Sequence, residues 1–230
     1  MQNDDWPTRS WKTTPPEAMD STVLAQIDRY VEDAFPTLLS LLIVRHGSLF
    51  YEHYYQGCHA GDSINVKSVT KSIVSALVGI ALDKRYLTSL DQQLAEFFPQ
   101  DFPVDSDPRK QEITLKHLLT LRSGLSWAEH SAESLPALFS SPNWVQHALS
   151  LPLLHDPGKV FAYSTLDAHL LSAVLSKVSG MSTLEFANRH LFGPLGNKAT
   201  VWASDPQEYQ IGGNVPVYVI DDIASWIKRQ

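Results

Sequence analysis

Apolar positions recur at helical spacing from Val23 through Leu24, Ile27, Tyr30 and Val31 to Ala34, and Pro36 follows them. A stripe of that period marks the buried face of a helix, with Asp20 or Ser21 placed to cap it and the proline to stop it. The pattern then changes. Leu38 to Val44 and Leu49 to Tyr55 are β-prone runs separated by Arg45, His46, Gly47 and Ser48, and Gly47 is free to take the positive φ of a tight turn. A β-hairpin is predicted.

From about Ser68 to Lys84 the chain is helical in pattern and apolar on nearly every side, which predicts a buried helix. Leu87 to Phe98 reads as a short helix or loop with Ser89 and Asp91 as caps, and residues 99–111 as irregular. Thr114 opens a helix for which Gly124 is the C-cap, and Pro136 to Leu151 carry another helical pattern. Leu166 to Val178 form an amphipathic helix ended by Gly180, and Thr183 to Phe192 form one more. Strands come first and helices after, with no strand-helix-strand alternation and no internal repeat. That order predicts an α+β fold, an antiparallel sheet flanked by helices with a mostly helical lobe over roughly residues 87–200. Residues 1–20, with Pro7, Pro15 and Pro16, read as an N-terminal arm, and residues 21–230 as a single domain.

Composition acts mainly by exclusion. Eighteen Lys and Arg against 25 Asp and Glu give a formal charge of -7 with no dense basic cluster, so no nucleic-acid partner is expected. The longest apolar runs fall far short of the ~20 residues that cross a bilayer, so no membrane span is expected either. The sequence has no His-Glu-x-x-His and no paired cysteines, and Gly212-Gly213-Asn214 lacks the Lys-Ser/Thr of a phosphate loop. Neither a metal nor a cofactor is therefore expected. The polar, proline-bearing start does not have the form of a signal peptide, and the single Cys58 has no internal partner. A cytoplasmic location follows as the expectation.

Chemistry concentrates at Ser68-Val69-Thr70-Lys71, immediately before the apolar run from Ile73 to Val78. At a spacing of three, Ser68 and Lys71 share one face of a first helical turn. Taken alone this is also the pattern of a serine-capped helix with a surface lysine. The catalytic alternative is a serine nucleophile whose base is a lysine drawn into apolar surroundings, with the Ser68 N–H at the helix start as an oxyanion donor.

The flanking residues resemble the β-lactamase and penicillin-binding-protein superfamily, in particular its class C-like branch of esterases, D-amino-acid peptidases and amide hydrolases. The likeness runs through Leu41 to Gly47, Ser68 to Ser72, Ile113 to Thr120 with Ser123, Gly124 and Leu125, then Pro157-Gly158, Phe161 to Thr165, His169 to Ser172 and Pro194-Leu195-Gly196. It implies a β-lactamase/transpeptidase-like fold and a serine hydrolase acting on a small-molecule ester, amide or β-lactam-like carbonyl through an acyl-enzyme on Ser68. It also implies that Tyr163, held near Lys71, exchanges protons with nucleophile and leaving group. That motif is Tyr-x-Asn in the class C-like branch, so Thr165 stands at the asparagine position as a substrate-binding residue. Threonine offers one hydroxyl where the amide offers a separate donor and acceptor. Branches of the superfamily that hydrolyse esters or small amides often depart at this position, so the resemblance points away from an antibiotic-hydrolysing enzyme.

The superfamily's last motif, Lys-Thr-Gly or His-x-Gly on an edge strand, has no counterpart after Tyr163. His59-Ala60-Gly61 matches the letters but precedes the nucleophile, so it is read as a loop. The last strands of the sheet are expected to be missing, and the alternative to catalysis is a binding protein that keeps the scaffold. Trp127 and Trp144 either line the cleft or fill the core, the core being the commoner use of tryptophan.

Overall fold

The computed structural model describes residues 12–13, 20–62, 64–104, 107–197 and 201–213. Most of the predicted arm, and the segment after Gly213, lie outside the described residues.

The predicted helix is α1, Ser21–Ala34, where Asp20 supplies the cap by accepting from the Thr22 N–H at 2.8 Å. The hairpin is β2, Ser40–Arg45, paired antiparallel with β3, Ser48–Tyr54. Its turn is His46-Gly47, with φ of 51° and 74°. Both central residues are left-handed, as a two-residue turn must be to match the strand twist, so His46 shares the conformation predicted for Gly47 alone. Lys12–Thr13, β1, adds a short parallel edge to β3, which makes the three-stranded sheet mixed, in the order β1-β3-β2. Asp28 of α1 fastens helix to hairpin by accepting from Tyr51 and, at 2.9 Å, from Tyr55, with His53 Nδ1 3.3 Å away.

The rest of the described chain is largely helical. The order is α2 (Val69–Asp83), α3 (Leu94–Phe97), a 3-10 helix (Pro108–Glu112), α4 (Leu115–Leu119), α5 (Ser134–Ser140), α6 (Trp144–Ser150), α7 (Thr165–Ser179) and α8 (Thr183–Ala187). A π-helical turn, Asn188–Phe192, extends α8. The core forms around α7, on which α2, α4, α6 and α8 all pack. Every residue of α7 from Thr165 to Leu175 is buried. Gly180 ends it in the left-handed conformation, φ 67°, that a C-terminal glycine adopts without a side-chain clash.

Three local expectations need correction. α2 was predicted to be buried and apolar on nearly every side, yet Ser72, Ser75, Ala76 and Gly79 are exposed along one side while Val74, Leu77, Val78 and Ala81 are buried. Gly124 is not a helix cap, since α4 already stops at Leu119 and Leu121 turns left-handed. A Cβ on Gly124 would lie 2.2 Å from the His155 carbonyl oxygen, so close passage of the 153–155 segment, together with a left-handed φ of 81°, requires glycine there. The pattern from Pro136 to Leu151 is two helices, because Pro142 separates them and Asn143 caps the second by accepting from Gln146 N–H.

Candidate active site

Ser68 is the residue before α2 and is reached through a strained step. Lys67 has φ 49°, and its N–H is held by Asn65 Oδ1 at 2.8 Å. Ser68 makes no side-chain capping bond. Its hydroxyl instead takes a hydrogen bond from Lys71 Nζ at 3.3 Å. The capped-helix alternative is therefore not what the geometry displays.

Lys71 Nζ also donates to Thr165 Oγ1 at 3.1 Å and lies 4.7 Å from the ring centroid of Tyr163. The other three residues singled out in the sequence thus converge on Lys71 Nζ. The Tyr163 contact is through the face of its ring, a cation–π arrangement, and the residue is 39% exposed.

The Tyr163-Ser164-Thr165 corner is rigidly held. Ala162 N–H donates to the Leu121 carbonyl at 2.9 Å. Ser164 caps α7, accepting from Asp167 N–H at 3.0 Å, and donates to Asp167 Oδ1 at 3.1 Å. Asp167 also accepts from Ser123 Oγ at 2.8 Å, which ties the loop after α4 to the start of α7. Only 1% of Asp167 is exposed. Burial pushes its carboxyl up to about 7, against the opposing pull of the hydrogen bonds from Ser123 and Ser164.

Two features at this site were not found from sequence. The first is Glu129. It accepts from Thr165 Oγ1, from Thr165 N–H at 2.7 Å and from Trp127 Nε1 at 2.6 Å. Burial pushes its carboxyl up, but the hydrogen bonds from Thr165 and Trp127, with the nearby Lys71 charge, outweigh it and hold the group below its ordinary value. A lone glutamate in a loop carries no periodic signal, so nothing in the pattern pointed to it. Trp127 is both core and site, since it is buried and its Nε1 reaches Glu129, whereas Trp144 is buried in the core.

The second feature is the Gly212-Gly213 pair. A Cβ on Gly213 would lie 2.5 Å from Lys71 Nζ and 3.1 Å from Thr165 Oγ1, and one on Gly212 would lie 2.1 Å from the Ala168 carbonyl oxygen. The paired glycines let the backbone pass directly over Lys71. A buried contact between His169 Nε2 and Asp205 Oδ2, 3.0 Å, fastens the preceding turn to α7, and Asp205 Oδ1 accepts from the Gln207 and Tyr209 N–H groups at 2.9 Å.

Beside Lys71, a cavity of about 320 Å³ opens between α2, α4 and α7, lined by Ser72, Ser75, Leu118, Leu121 and Leu171 among others. His59, by contrast, stands in an exposed turn bonded to Asp62. Among the described residues no group of three His, Cys, Asp or Glu is arranged to hold a metal, and no helix is long and apolar enough to cross a membrane.

The family model described as Beta-lactamase matches residues 27–216. The chain belongs to the β-lactamase family. Within the family it is 25% identical over 202 residues to protein flp of Staphylococcus aureus strain MW2, covering 81% of this chain and 40% of flp. It is 28% identical over 156 residues to a lovastatin esterase of Penicillium rubens, covering 59% of this chain and 38% of the esterase. The octameric penicillin-binding protein homologue from Pyrococcus abyssi superposes with a TM-score of 0.65 at 18% identity, over 90% of this chain and 55% of that one. The chain therefore spans less than two thirds of the length of these proteins.

Proposed function

We propose that this chain is a serine hydrolase that forms an acyl-enzyme on Ser68 from an ester, amide or β-lactam-like carbonyl. The observation that carries the proposal is the Ser68 hydroxyl, unused as a cap and 3.3 Å from Lys71 Nζ at the start of α2. Ser68 Oγ bonds to the carbonyl carbon as its proton passes to the Lys71 and Tyr163 pair. The Ser68 N–H stands at the positive end of α2, where developing negative charge on the carbonyl oxygen is favoured. The proton then goes to the leaving oxygen or nitrogen as its bond to carbon breaks. Water, losing a proton to the same pair, attacks the acyl carbon, and that proton returns to Ser68 Oγ as its bond to the carbon breaks and the acid leaves. Thr165, at the position expected to bind substrate, is buried with its hydroxyl between Lys71 and Glu129, so its part in the scheme is to hold Lys71, and no cofactor enters.

A binding protein that retains the scaffold is the second reading, supported by the way Tyr163 meets Lys71 with its ring face. A fluorescent alkyl fluorophosphonate separates the two. The hydrolase reading expects a covalent label on the wild-type chain and none on Ser68→Ala. Equal labelling of both, or none of either, would leave the binding protein.

A further inference from the structure

Glu129 is outside every motif, yet both of its oxygens are engaged at the site. Oε2 receives two groups that are only ever donors, the Thr165 backbone N–H at 2.7 Å and the Trp127 indole N–H at 2.6 Å. Oε1 meets the Thr165 hydroxyl. A carboxylate with two donors on one oxygen, beside a lysine, is held in its ionised form, which agrees with the downward displacement of its titration described above.

An ionised carboxylate accepts and never donates, so the single proton of the Thr165 hydroxyl points at Glu129. The side of Thr165 Oγ1 that faces Lys71 is then a lone pair. Lys71 Nζ, 3.1 Å away, has to give it an N–H, and with that bond fixed another substituent of the same nitrogen is aimed at Ser68 Oγ, 3.3 Å off. In the base form that the hydrolase reading needs, Lys71 is a neutral amine with one lone pair, and without Glu129 the hydroxyl is a free rotor able to point its proton at that lone pair and turn it away from Ser68.

We infer that Glu129 is a positioning residue: its carboxylate sets the direction of the Ser68–Lys71–Thr165 hydrogen-bond chain and makes a rotatable threonine hydroxyl behave as a fixed acceptor. The inference rests on the serine-hydrolase reading for its catalytic consequence and on geometry alone for its hydrogen-bond direction. It makes a specific demand of position 165. An asparagine there carries its acceptor as a carbonyl oxygen, which needs no carboxylate to orient it. Glu129 matters because residue 165 is threonine.

The test is a double-mutant cycle of Glu129→Gln, Thr165→Asn and the two combined, each confirmed folded by circular dichroism, with p-nitrophenyl acetate as substrate. Glu129→Gln is expected to lower kcat by at least about tenfold with KM within about twofold, the signature of a misaimed base and not of lost binding. The double variant is expected to stay within about threefold of Thr165→Asn, because the orienting carboxylate is then redundant. Retention of kcat within about twofold in Glu129→Gln, or fold-losses that simply multiply in the double variant, overturns the inference. If Glu129→Gln alone does not fold, the comparison of the double variant with Thr165→Asn decides.

Failure of the hydrolase reading is seen separately, as absence of ester turnover in the wild-type chain. The geometry is then judged by NMR. The Thr165 amide proton should shift upfield as Glu129 is protonated, and that titration should vanish in Glu129→Gln. A wild-type Thr165 amide that does not titrate overturns the inference.

Discussion

The two ends of the described chain bury polar groups in different ways. Around α1 and the hairpin, Asp28 gathers Tyr51, Tyr55 and His53 at a half-open seam, and β2 has no fully buried residue. Around α7, Asp167, Ser123, Ser164 and Thr165 sit inside a continuous apolar core that includes Leu166, Leu170, Val174 and Phe186. Hydrogen bonds with water nearby are replaceable, whereas those in a dry core are not. The helical lobe therefore holds its polar groups in place, and the Tyr163-Ser164-Thr165 corner, with Glu129 against it, is built there. The hairpin contributes no side chain to that corner.

The sharpest way to break this contrast is a matched pair of truncations. Leu170→Ala, in the centre of α7, removes a fully buried side chain and should cost about 2–5 kcal/mol in urea unfolding. Leu41→Ala in β2 removes a side chain that is only partly covered and should cost less than about 1 kcal/mol. Equal losses would mean that the hairpin is as much a part of the core as α7.

Much of this contrast was legible in the sequence, and the exceptions share a cause. α1, the hairpin and α7 each have a period of their own, with caps at Asp20 and Gly180 that announce their limits. Ser68, Lys71, Tyr163 and Thr165 were findable because their flanks resemble a family pattern, and the structure brings all four to one point. Contacts that depend on how distant loops meet were not. Glu129 reaches Thr165 across 36 positions, Asp167 reaches Ser123 across 44, and Gly213 meets Lys71 from near the end of the described chain. No local spacing encodes those meetings. The exposed side of α2 was missed because small residues such as Ser75, Ala76 and Gly79 suit a covered helix face and an open one equally well.

Asp167 gives a pH test of the same difference. Its carboxyl lies near 7 in the folded chain, above its ordinary value, so the folded state binds more protons than the unfolded one between those limits. Stability from this group is full below the ordinary carboxyl range and is lost as pH rises towards 7. The loss between pH 5 and pH 8 is on the order of a few kcal/mol. Asp167→Asn should flatten the stability–pH curve over that range, measured by urea unfolding at fixed temperature. A slope unchanged by the substitution would place the titrating group elsewhere.

The smallest effect sharpens the other side of the comparison. Tyr51→Phe deletes one hydrogen bond to Asp28 and leaves Tyr55 and His53 in place, so global stability should fall by only about 1 kcal/mol. The informative readout is where that loss appears. If α1 and the hairpin open as a unit of lower stability than the α7 core, amide hydrogen exchange should quicken in α1 and β3 while α7 keeps its protection. The Ser68 region follows the hairpin in the chain but packs with α7 through α2, so amides from Thr70 to Leu82 should behave as α7 does. Faster exchange there would join the hairpin to the nucleophile helix as one cooperative unit, and the division between a loosely held seam and a rigid site would have to be redrawn at α2.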